Sequence, residues 1–162
     1  MQQDHMKPVT ATPKMGFGQA VESGLRKWLD FKGRARRSEY CWCALCASIY
    51  QSLGACLDGF FQWRIWDIKV FPTVFSIALF IPMTALLTRR LHDCGMSGWW
   101  LVALYVLLII TKVLSIAKME NFIIIAEFLL IPLILIIFVA TFADGEKCEN
   151  KYGPSPKYRY QS

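Results

Sequence analysis

The chain has 162 residues, 55% of them hydrophobic and only 19% charged, with a mean hydropathy of +0.36 and a formal net charge of +6. A soluble domain of this length closes its core with fewer apolar residues, interleaved with polar ones, so an ordinary soluble globular domain is excluded. The basic excess lies between apolar blocks rather than on one patterned face, and no nucleic-acid partner is expected.

Residues 1–16 are polar, carry two prolines and read as a disordered tail. The first 39 residues hold no apolar run long enough for a cleavable signal, so the first span is expected to stay as an anchor. From Phe17 onward, Phe17, Val21, Leu25, Trp28 and Leu29 share one helical face, with Glu22, Arg26, Lys27 and Asp30 off that stripe. The pattern fits an amphipathic helix lying in the membrane interface, and equally one docked on neighbouring loops.

The segment "FKGRARRSEY" (Phe31–Tyr40) puts Lys32, Arg34, Arg36 and Arg37 just before the first apolar block. Arg34, Arg36 and Arg37 are candidate contacts for anionic lipid headgroups, a basic residue near such a surface contributing ~1 kcal/mol. The plainer reading is that they only fix topology.

Four blocks follow, at about 40–57, 69–88, 99–117 and 121–143. A bilayer core takes roughly 20 apolar residues per helix, and lipid offers no partner for free backbone groups, so each block reads as a transmembrane helix. In the first, Ala44, Ser48, Ser52 and Cys56 form a small-residue stripe suited to close helix packing, within the chain or between copies. Trp63 and Trp66 in the next loop suit an aqueous interface, and Pro72 and Pro82 predict a kink in the second span.

"RRLHDCGMSGWW" (Arg89–Trp100) separates the second and third spans. Gly95–Gly98 has the G-x-S-G form of rhomboid proteases, but a serine nucleophile needs a base within hydrogen-bond reach. Here the histidines are His5, in the tail, and His92, in the same loop. His92, Asp93 and Cys94 are neighbours in sequence and splay apart, and a zinc site from His92, Cys94 and Cys148 lacks a fourth ligand. The residues make better sense as a membrane edge: arginines end one span, glycines turn the chain, Ser97 caps the next helix and Trp99 and Trp100 anchor it. No catalytic site, metal or cofactor is assigned.

Lys112 and Glu127 fall at similar depth in the third and fourth spans, which predicts an intramembrane ion pair or, in the alternative, an outward-snorkelling lysine beside a protonated glutamate. The six cysteines are read as reduced thiols.

Fourteen basic residues flank the spans on the side of the termini and the middle loop, and three (Arg64, Lys69 and Lys118) on the other. The positive-inside rule then puts both termini in the cytoplasm. There Arg34, Arg37, Glu39, Arg90, His92 and Asp93 are predicted to form one charged cluster, clamping the bundle or docking an anionic headgroup, a phosphate or a protein.

"FKGRARRSEY", "RRLHDCGMSGWW" and "GEKCENKYGPSP" (Gly145–Pro156), in that order, resemble the YhaH-like family of small bacterial inner-membrane proteins, a domain of unknown function. The resemblance covers about residues 25–157. It rests on Phe31, Gly33, Arg34, Arg36, Arg37, Glu39, Tyr40, Arg90, His92, Asp93, Ser97, Gly98, Trp99, Trp100, Asn150, Gly153 and Pro156. It implies the inner membrane and a helical fold, and supplies no activity; Cys94 and Met96 vary in the family's pattern, which weighs against a thiol mechanism.

The sequence thus predicts an all-α, polytopic membrane protein. A four-transmembrane-helix bundle with an N-terminal amphipathic interfacial helix fills a single domain over 17–143, and a cytoplasmic tail follows over 144–162. Its expected role is a non-enzymatic binding or accessory module with a basic cytoplasmic face, partnered by anionic lipids, by further copies of itself or by a cytoplasmic protein. The alternative is a small oligomeric transporter or channel using Lys112 and Glu127.

Overall fold

The computed structural model describes residues 8–65 and 68–160; Lys7 and Trp66 lie outside the described residues. A strand β1 (Pro8–Ala11) leads into α1 (Phe17–Arg26), and four long helices follow: α2 (Arg37–Phe61), α3 (Val70–Asp93), α4 (Trp99–Ile116) and α5 (Glu120–Phe142). The two-residue strands β2 (Arg64–Ile65) and β3 (Ile68–Lys69) make a hairpin between α2 and α3, and β4 (Tyr158–Tyr160) closes the chain. The four long helices, of 25, 24, 18 and 23 residues, are each apolar and long enough to cross a membrane. Even the shortest rises about 27 Å, close to a bilayer's hydrocarbon thickness.

α2 packs against α3 and α4 against α5, and α3 and α5 join the two pairs. On α5 the inward residues Ala126, Leu133, Ile137 and Ala140 recur at intervals of three, four and seven, while Phe128, Ile131 and Val139 face outward. Leu91, Leu101, Ile137 and Ala140 form the buried apolar cluster where α3 ends and α4 begins. Elsewhere the apolar side chains are largely exposed, as lipid-facing surfaces are; Ile116 is 83% exposed and Phe128 77%.

Several boundaries differ from the sequence reading. α2 starts at Arg37 and α3 runs to Asp93, because the polar residues at those ends find buried partners and the helix continues through them. α3 is unbroken through Pro82, and Pro72 sits in its first turn, where no intrahelical bond is lost. Over residues 8–11 the disordered-tail expectation is corrected: β1 pairs antiparallel with β4, and the Thr12 amide donates to the Lys157 carbonyl at 2.8 Å. A partner almost the whole chain away leaves no local signature.

α1 is amphipathic and docks on α2. Its Ala20 is fully buried, the Cys43 thiol donates to the Ala20 carbonyl at 3.3 Å, and Phe17 meets Trp42 edge-on at 5.6 Å. Leu25, Trp28 and Leu29 remain exposed. On α2 the packing face carries Glu39, Gly54 and Asp58, not the small-residue stripe; Ser48, Ser52 and Cys56 point outward, each serine bonded back to its own helix.

Candidate functional site

One end of the bundle gathers the start of α2, the end of α3, the start of α4, the end of α5, the 27–36 connection and the tail. Its centre is Asp93. The Arg34 Nε donates to Asp93 Oδ1 at 2.8 Å, and the Arg90 Nη1 donates to Asp93 Oδ2. All three are buried, with Arg90 at 0% exposure. Two guanidiniums on one carboxylate leave excess positive charge, and backbone carbonyls answer it. Arg34 also donates to the carbonyls of Cys148 (2.8 Å), Gly153 (3.2 Å) and Glu146. Arg90 donates to those of Ala35 (3.3 Å), Thr141 (3.2 Å) and Ala143. The planar fork of arginine meets several acceptors at once, which a lysine cannot do. The tail is therefore folded onto the bundle by arginines from two other segments.

Glycines make this approach possible. A Cβ on Gly145 would overlap the Asp93 carboxylate. Gly95 ends the α3 turn at φ +72, in the left-handed region, with its amide on the His92 carbonyl at 3.1 Å.

His92 serves the same assembly through its ring. Its Nδ1 lies 3.2 Å from the Gly33 carbonyl, and the ring stacks on Tyr152 at 3.7 Å and 5°. Asn150 donates to the His92 carbonyl at 2.9 Å and to Glu146 Oε2 at 2.8 Å.

The predicted cluster is thus divided. Arg34, Arg90 and Asp93 form the core and His92 borders it. Glu39 belongs to a second buried pair with Arg89, at 3.4 Å, where the Ser23 hydroxyl also donates to Glu39 at 2.9 Å. The Arg89 Nε and Nη2 have no partner among the described residues. Arg37 sits at the rim, on Asp144 at 2.5 Å and the Phe142 carbonyl at 3.1 Å. Arg89 and Glu146 escaped the sequence reading; consecutive arginines after a span look like topology markers, and nothing local marks Arg89 as buried.

Two expectations are corrected. Arg34 is not a headgroup contact: its side chain is 1% exposed and fully engaged. Lys112 and Glu127 do not pair. No ion pair joins them among the described residues; both are exposed, each one position off its helix's inward stripe, at Thr111 and Ala126. A 100° step per residue carries both side chains out of the α4–α5 contact.

Two cavities open beside the network. The first, of 430 Å³, is lined by Lys14, Arg36, Arg37, Lys157, Asp93 and Asp144, among others. Arg36, on its wall, donates to the carbonyls of Pro13 (2.6 Å) and Thr12 (2.9 Å). The hydrogen bond from Lys157, with Arg37 adding to it, holds the Asp144 carboxyl below the usual carboxylate range. The bonds that Lys157 gives Tyr158 and Asp144 push its ammonium up. The second cavity, of 400 Å³, lies between α3 and α4 and includes both His92 and Ser97. No hydrogen bond joins those two among the described residues, Ser97 Oγ instead accepting from the Trp99 amide at 3.4 Å. Cys94 donates its thiol to the Ala140 carbonyl at 3.3 Å, and burial pushes its pKa up, so it stays protonated rather than a nucleophile. His92, Cys94 and Cys148 form no metal-binding group among the described residues.

A family model described as "Protein of unknown function (DUF805)" matches residues 28–154. The chain belongs to this family. The inner membrane protein YhaH of Escherichia coli (strain K12) is 32% identical over 136 residues, covering 82% of this chain and 92% of YhaH. The inner membrane protein YhaI of the same strain is 29% identical over 136 residues, covering 84% and 93%. No solved structure matches the chain. With four helices fit to span a bilayer, this DUF805 member is a mostly helical, multi-pass inner-membrane protein. The family range takes in Arg34, Arg90, Asp93 and their tail acceptors, whereas Lys14 and Lys157 of the first cavity fall outside it.

Proposed function

We propose that the protein is a non-enzymatic binding module of the inner membrane whose basic end faces the cytoplasm and holds an anionic, phosphate-bearing lipid headgroup. The observation that carries this reading is the 430 Å³ cavity with four cations on its wall and two carboxylates. Asp93 is already neutralised by Arg34 and Arg90, and Asp144 is shared by Arg37 and Lys157. Lys14 makes no ion pair among the described residues and adds an unanswered charge. The cavity lies at the start of α2 and the end of α5, two helices fit to cross a membrane, and cations at a bilayer surface attract anionic lipid by about 1 kcal/mol each.

The test is native mass spectrometry of the full chain released from nanodiscs of phosphatidylcholine with a minority of phosphatidylglycerol. Lys14→Ala/Arg37→Ala is expected to lose retained phosphatidylglycerol about tenfold, the worth of one to two such charges. Arg26→Ala, an exposed cation paired with Glu22 and outside the cavity, serves as control. Equal retention in the double variant and the wild type overturns the reading.

Orientation is supported by the charge bias and tested separately. A reporter that fluoresces only when folded in the cytoplasm, fused after Ser162, is expected to be bright. A dark reporter on protein inserted at normal levels reverses the assignment.

A further inference from the structure

The second cavity has chemistry opposite to the first. It reaches from His92, Ser97 and Tyr152 at the bundle's end down to Thr84 and Tyr105, and among the described residues no Asp, Glu, Lys or Arg lines it. Thr84 lies eight residues before His92 on α3, about 12 Å along the axis. The cavity therefore begins at the helix ends and descends along a span. Trp99, 74% exposed, and Val102, 45% exposed, form its outer wall on α4.

Four of its polar side chains, Thr84, Thr88, Tyr105 and His92, have committed their protons elsewhere. Thr88 donates to the Thr84 carbonyl at 2.8 Å, and Thr84 to the Phe80 carbonyl at 2.6 Å. With its proton spent, Thr84 Oγ1 must accept the 2.9 Å bond it shares with Tyr105, so Tyr105 is the donor there. The Gly33 carbonyl only accepts, so His92 Nδ1 carries the proton and the neutral ring offers a lone pair at Nε2. That nitrogen faces the cavity wall at Gly98, where a Cβ would come within 3.6 Å of it. These four side chains present lone pairs to the cavity, so a head that pairs with them, above all with His92 Nε2, must bring hydrogen-bond donors.

Such donors come as hydroxyls or as an ammonium. An ammonium would be desolvated here with no carboxylate to answer it, and Lys151 already sits 5.0 Å over the Tyr152 ring at the upper end. Charge thus favours a neutral headgroup, and the descent along a span favours an acyl chain behind it.

We infer that the α3–α4 cavity is a binding site for a neutral glycerolipid with a free hydroxyl, its head donating to His92 Nε2 and its chain lying past Val102 toward Tyr105. This site is independent of the anionic-lipid reading, because the two cavities use different residues apart from the network between them.

The test uses full-length protein in phosphatidylcholine nanodiscs. The probes are a dioctanoylglycerol with a diazirine in one chain and its 3-O-acetyl analogue, which lacks the hydroxyl. After photolysis, cross-linked peptides are mapped by mass spectrometry. The hydroxyl probe is expected to label the start of α4 about five- to tenfold more than the acetylated probe, the worth of one hydrogen bond. His92→Phe keeps a ring for Tyr152 and removes Nε2, and is expected to erase that preference. Because His92 also binds Gly33, a second variant is needed: Val102→Trp fills the cavity from its exposed wall and should abolish labelling in protein that melts like the wild type. Equal labelling by the two probes overturns the hydroxyl assignment, and labelling that survives Val102→Trp overturns the site.

Discussion

The two ends of this bundle are built differently. At the end carrying the termini, three buried ionic side chains and a ring of backbone carbonyls tie the ends of α3 and α5, the 27–36 connection and the tail into one network. At the other end, α2 and α3 are joined among the described residues by a hairpin of two-residue strands and one ion pair, Asp58 to Lys69 at 3.6 Å, with Lys69 56% exposed. α4 and α5 turn there through Ala117–Met119, with Lys118 at φ +55. The difference teaches where this fold keeps its specificity. Within the spans, apolar side chains meet lipid as readily as each other, so apolar burial discriminates weakly between arrangements. Directional bonds at one end choose the arrangement instead.

The comparison breaks most sharply at Asp93. Asp93→Asn removes the charge shared by Arg34 and Arg90 and leaves two guanidiniums buried at 1% and 0% side-chain exposure. Leaving buried charges uncompensated costs about 3–5 kcal/mol. The variant should melt far lower in mild detergent, and protease should cut its tail at Cys148–Gly153 once Arg34 lets go. Asp58→Asn, the matching change at the other end, faces a half-exposed lysine and should cost about 1 kcal/mol or less. Equal losses at the two ends would refute the contrast drawn here.

The helices were legible because apolar length is a signal that needs no partner. Arg90, His92 and Asp93 were legible as members of one end because the positive-inside bias places them there, and Asn150 and Gly153 because a motif resembling a known family carries them. The pairings within that end were not. Arg34 and Arg36 stand two residues apart in one basic run, yet one is buried on Asp93 and the other braces the Thr12–Pro13 strand exit. Which is which depends on a tail more than a hundred residues away. Lys112 and Glu127 show the reverse error. Equal depth was readable from residue counts, but pairing depends on azimuth, and both lie one position off the packing stripe. β1 was invisible for the same reason as the tail contacts: its partner strand lies at the far end of the chain.

A subtler contrast lies within the stitched end, between adjacent arginines. Arg90 has an acceptor at Nε and at both terminal nitrogens. Among the described residues Arg89, 1% exposed, has a single 3.4 Å bond to Glu39 and two buried polar nitrogens, Nε and Nη2, without a partner. An ion pair with unsatisfied donors recovers little of its desolvation cost, and well-packed apolar residues replace such pairs at no loss or with a gain. Arg89→Leu alone should cost about 3 kcal/mol, because Glu39 then keeps only the Ser23 hydroxyl. Arg89→Leu/Glu39→Leu should recover that loss and reach or exceed wild-type melting temperature. The same double replacement at Arg90 and Asp93 should recover nothing, because the carbonyls of Ala35, Thr141 and Ala143 would lose their donor and Arg34 its carboxylate. A double-mutant cycle on each pair separates the two cases: the Arg89 cycle should show the second substitution rescuing the first, and the Arg90 cycle should not.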